Sequence, residues 1–70
     1  MATIQNQYDG ILDTLTEARI QKGYTQTEMG ELIHLSQNAY YKLEKGYTRL
    51  DVHRLIEIGF LLELDLKDLF

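Results

Sequence analysis

The segment Ser36-Gln37-Asn38-Ala39-Tyr40-Tyr41-Lys42-Leu43-Glu44-Lys45 concentrates the side chains best suited to recognition in this chain of 70 residues. The amides of Gln and Asn carry a donor and an acceptor side by side, which matches the edge of adenine, and Lys reaches guanine or phosphate. If the segment is helical, Tyr40 and Leu43 lie three apart and turn inward. Gln37, Asn38, Tyr41 and Lys42 then share the outer side, as base reading from a major groove requires. Spacing alone leaves a second reading open, in which the same amides are ordinary polar surface at a helix start.

Other chemistries find little support. His34 and His53 sit in different elements without a paired carboxylate motif. There is no glycine-rich phosphate loop, nucleophile elbow or HExxH. Cysteine is absent, so no disulfide or thiolate metal site supports the fold. An enzyme, a metal, a cofactor and a small-molecule ligand are therefore not expected.

The elements that must position the segment are helices, because apolar residues recur at helical spacing. Tyr8, Ile11, Leu12, Leu15, Ala18 and Arg19 trace one stripe, stopped by Gly23. Residues 1–7 read as a flexible N-terminal segment. Thr25-Gln26-Thr27-Glu28 is a capping box that opens a second helix carrying Met29, Leu32 and Ile33. Ser36 is the cap expected for the third helix, which stops at Gly46. Asp51 caps a fourth with Val52, Leu55, Ile58, Leu61 and Leu62, and Asp65 caps a final short turn ending in Leu69 and Phe70. The expected fold is all-α, a compact domain of five helices spanning 1–70. Its second and third helices, about three residues apart, should cross steeply. No apolar run reaches the roughly 18 residues of a membrane span, and residues 1–10 do not read as a secretory signal. The expected location is the cytoplasm.

Three stretches of this chain, Arg19 to Gly30, Leu43-Glu44-Lys45-Gly46 and Asp65 to Phe70, together resemble the Cro/repressor-type (Xre-like) helix-turn-helix family over roughly residues 11–70. The resemblance implies a phage-repressor type of DNA-binding domain whose third helix reads duplex DNA as part of a homodimer. It implies base or groove contacts for Gln37, Asn38, Tyr41 and Lys42. It implies backbone contacts for Gln26 and for the loop Tyr47, Thr48 and Arg49, and we add Ser36 and Lys45 to that set. A glutamine at a helix start also faces free N–H groups that favour an anion. Arg19 and Glu44 match a partly buried ion pair, a structural role in which the Arg fork meets a carboxylate.

Four features depart from the family's usual pattern. His34 stands where a turn glycine is common, so it must adopt a left-handed conformation or the turn must differ. Gly30 and Gly59 replace small helix residues, each costing about 1 kcal/mol against alanine, and are expected to permit close helix approach. Leu32 and Phe60 fall at usually polar positions, and Phe70 ends the chain. Phe60 and Phe70 are the candidates for a homodimer interface.

Net charge sets the rival reading. The chain totals −4, with residues 1–35 and 51–70 each at −3 and only residues 36–50 positive, at +2. Acidic flanks repel DNA at long range. Two function classes follow: a sequence-specific transcriptional regulator, such as a repressor or autoregulator, or a helix-turn-helix fold used as a protein–protein interaction module with a protein partner.

Overall fold

Every helix begins on a side chain that accepts a hydrogen bond from the amide three residues ahead. In the computed structural model, which describes residues 3–69 apart from the Leu66 side chain, Thr3 caps α1 (Ile4–Lys22) and Thr25 caps α2 (Gln26–Leu32). Ser36 caps α3 (Gln37–Glu44), and Asp51 caps α4 (Val52–Leu61). Each cap satisfies a donor that the helix itself cannot. At Thr25 the box is complete, because its amide donates to the Glu28 carboxylate at 2.8 Å. Those bonds from Thr25 hold the Glu28 carboxyl below its ordinary pKa.

The other ends are equally uniform. Gly23, His34, Gly46 and Glu63 close the four helices in the left-handed region, with φ of 81°, 62°, 78° and 59°. In each case the following amide reaches back five residues: Tyr24 to Arg19, Leu35 to Gly30, Tyr47 to Lys42 and Leu64 to Gly59. The left-handed residue itself reaches back three, which completes a Schellman motif. His34 thus adopts the glycine-like conformation rather than changing the turn.

The two ends of the chain add to the expected picture. Helix α1 starts at Ile4, so residues 4–7 form its first turn, and the Thr3 cap extends the helix past its apolar stripe. Five helices were expected, whereas the described residues form four α-helices and one 3₁₀ turn, Leu66–Asp68. The Asp68 carboxylate accepts from the Asp65 amide at 3.1 Å, closing a single turn too short for a helical ladder. Asp65 is therefore the donor in that turn, not the side-chain cap.

The core joins Ile11 and Leu15 of α1, Met29 and Ile33 at α2, Tyr40 of α3, and Ile58 and Leu62 at α4. Close approach occurs at Gly30, where a Cβ would lie 2.7 Å from the Leu35 carbonyl oxygen and 3.1 Å from that of Ser36. The turn into α3 lies directly on that glycine. Gly59 shows no such approach, since its nearest neighbour would be 3.9 Å away. From α4, Arg54 Nη1 donates to the Ile33 carbonyl and to Glu57, both at 2.8 Å, fastening the same turn to α4. Among the described residues no helix is long and apolar enough to cross a membrane.

Candidate nucleic-acid interface

Helix α3 divides into two faces. Tyr40, Leu43 and Glu44 are buried, while Gln37, Asn38 and Lys42 are exposed and Tyr41 is half-buried. The burial of Tyr40 and Leu43 in the core therefore turns the polar residues outward.

Behind that outer face lies a chain of polar contacts. Arg19 Nε meets Glu44 Oε2 at 2.6 Å, with side-chain exposures of 12% and 5%. Arg19 Nη2 approaches Glu44 Oε1 at 3.4 Å, and Nη1 donates to the Tyr24 carbonyl at 2.8 Å. Gln26 Nε2 donates to Glu44 Oε1 at 3.2 Å, and Gln37 Nε2 donates to Gln26 Oε1 at 2.8 Å. Burial pushes the Glu44 carboxyl up, but bonds from Arg19 and Gln26, with the Tyr40 hydroxyl beside it, outweigh that and hold it below its ordinary value. Among the described residues the Tyr40 hydroxyl itself is buried without a partner in hydrogen-bond geometry. Burial, and Glu44 next to it, raise its pKa above that of an ordinary tyrosine.

Donor and acceptor counting makes this chain directional. An ionised carboxylate only accepts. Gln26 must therefore turn its NH₂ toward Glu44, which leaves its oxygen for Gln37. Gln37 must donate, which leaves it one N–H and its Oε1. The Ser36 oxygen is engaged by the Ala39 amide at 3.1 Å, but its own hydrogen stays available.

The remaining residues gather around α3. Ser36, Asn38, Lys42, Thr48 and Arg49 line one open groove between α3 and the loop that follows it. Beyond it, Tyr41 meets Tyr47 edge-on with centroids 6.1 Å apart, and Lys45 Nζ lies 6.0 Å from the Tyr41 ring centre. Lys22, also cationic, pairs instead with Glu63 at 2.8 Å.

Phe60 is 81% exposed and lines an apolar hollow with Leu32 and Ile56, away from the groove. Phe70, the other interface candidate, lies outside the described residues.

Sequence reasoning missed two positions. Arg54 ties α4 to the helix-turn-helix, and Tyr8 Oη accepts from the Leu50 amide at 3.0 Å. Tyr8 stood out only as an apolar stripe residue, and neither contact follows any sequence period.

A family model described as helix-turn-helix matches residues 15–69, which hold most of this network and all of α2 to α4. No curated protein and no solved structure matches the chain. With two capped helices joined by a tight turn, an ion pair beneath the second and a match over most of its length, the chain belongs to the Cro/repressor-type (Xre-like) helix-turn-helix family of DNA-binding regulators.

Proposed function

We propose that this protein is a sequence-specific transcriptional regulator, a repressor or autoregulator, that docks α3 in the major groove of duplex DNA as a homodimer. The supporting observation is the Glu44–Gln26–Gln37 chain. It leaves Gln37 offering one donor and one acceptor, the pair that an adenine edge accepts. Asn38, Tyr41 and Lys42 extend the reading surface along α3. Gln26 retains one N–H and Ser36 its hydroxyl hydrogen for phosphate, and Lys45, Tyr47, Thr48 and Arg49 add backbone contacts.

The dimer surface is the exposed stripe of α4. Val52, Ile56 and Phe60 lie four residues apart in turn, and Leu32 flanks them. An antiparallel α4 pair about a two-fold axis at Ile56 sets each Val52 against the partner's Phe60, large against small. Phe70 belongs to the same proposal. Phe60→Ser should shift the sedimentation profile toward monomer, and a wild-type monomer both alone and on DNA at high micromolar concentration would refute the dimer.

Selection of bound sequences from random duplexes, read at two salt concentrations, tests the main reading. Lys42, Lys45 and Arg49 from two subunits should give a log–log salt slope of roughly −5. Asn38→Ala should relax base preference by about 1–3 kcal/mol, whereas Lys45→Ala should weaken all sequences alike. The net charge of −4 supports the protein-interaction alternative. Absence of duplex binding at low salt would favour it.

A further inference from the structure

We propose that Tyr8 is a positioning residue for the loop that meets the DNA backbone, an inference that rests on the DNA-binding reading above. The loop between α3 and α4 exposes Tyr47, Thr48 and Arg49. One face of α1 touches it on both sides of these residues. Before them, Gly46 lies so near α1 that a Cβ there would sit 3.2 Å from Leu12 Cδ1. After them, Tyr8 Oη accepts from the Leu50 amide at 3.0 Å. Tyr8 and Leu12 are four apart and so occupy the same face of α1.

The two ends differ in how they are held. The Lys42 carbonyl accepts from the Tyr47 amide at 2.9 Å and from the Thr48 amide at 3.2 Å, so the first half has local support from α3. The Leu50 amide is held from α1, 42 residues away, by the tyrosine hydroxyl. The Leu50 side chain packs on the core and completes that anchor. The three exposed residues therefore bridge two fixed points. Tyr8 precedes the matched span of residues 15–69, so the brace comes from the part of α1 outside the family match.

A loop ordered in advance avoids the ordering cost that association otherwise incurs. Because backbone contacts carry no sequence information, the gain is the same for every duplex. Tyr8→Phe keeps the ring and removes the acceptor. Hydrogen exchange at the Leu50 amide should accelerate. Binding should weaken about fivefold on a selected site and on a random duplex alike, the effect of one lost hydrogen bond. In a Tyr47→Ala, Thr48→Ala, Arg49→Ala background, the same change should cost less than about twofold, since the loop no longer contributes. A purely structural Tyr8 would lower the melting temperature and cost the same in both backgrounds. Equal losses, or a Tyr8→Phe protein that binds within about twofold of wild type, would overturn the proposal while leaving the DNA reading intact. Failure of the wild-type protein to bind any duplex would instead remove the DNA reading, and this role with it.

Discussion

Glu44 holds together more of the molecule than any other polar residue described. It sits beneath α3, pairs with Arg19 of α1 and orients Gln26 of α2. Removing Arg19 would strand a buried carboxylate, so Arg19→Ala should cost about 3 kcal/mol in thermal or urea unfolding. Acid should act through the same group. Its folded-state pKa is depressed, so the stability it contributes is present above the ordinary carboxylate range and is lost as pH falls through the lower, folded value. Melts of Glu44→Gln from neutral pH downward should show a flatter acid limb than wild type, from a lower starting stability. The ion pair was legible in the sequence through the family resemblance. The Gln26–Gln37 bond was not, because it depends on how α2 and α3 cross, and that angle has no signature in either helix alone. The exposed positions of Gln37, Asn38 and Lys42 followed directly from the inward pull of Tyr40 and Leu43.

At the scale of the helix, two glycines of α2 and α4 make opposite predictions. Both are buried helix residues and both carry the same intrinsic penalty against alanine. At Gly59 a methyl group meets only an ordinary contact 3.9 Å away, so Gly59→Ala should stabilise by about 0.5–1 kcal/mol. At Gly30 the methyl would meet the backbone oxygen of Leu35 at 2.7 Å, and backbone in a closed turn has little room to move. Gly30→Ala should destabilise by about 1–3 kcal/mol or misplace α3. Chemical denaturation of the two variants side by side separates these outcomes. Helix starts at Thr25, Ser36 and Asp51 were readable because one side chain suffices to make a cap. Helix ends were readable where glycine marks them, at Gly23 and Gly46, and at His34 through the missing glycine. Glu63 gave no signal, since a glutamate in the left-handed region is held there by the pairing of the Leu64 amide with the Gly59 carbonyl and not by its own preference. The fifth helix was overread because its apolar residues fit a helical period over a stretch that closes as one turn.

For the whole molecule, charge and shape pull in different directions. A net −4 should slow approach to DNA, while among the described residues the cations outside ion pairs, Lys42, Lys45 and Arg49, stand together at α3 and its following loop. Lys22 stands apart from that group and pairs with Glu63 on the surface, a contact that a count of charges along the sequence does not show. The Arg54 bond to the Ile33 carbonyl has a further consequence. It fastens the turn between α2 and α3 to α4, and α4 also carries the proposed seam between subunits. Under that proposal the bond couples the reading helix to the seam, which limits the freedom to absorb error in the target. One base pair inserted between half-sites displaces one of them by about 3.4 Å and rotates it by about 35°. The protein should therefore tolerate only one half-site spacing: a single inserted pair should reduce binding to that of an isolated half-site, and Arg54→Ala should widen the range of spacings accepted in a gel-shift series.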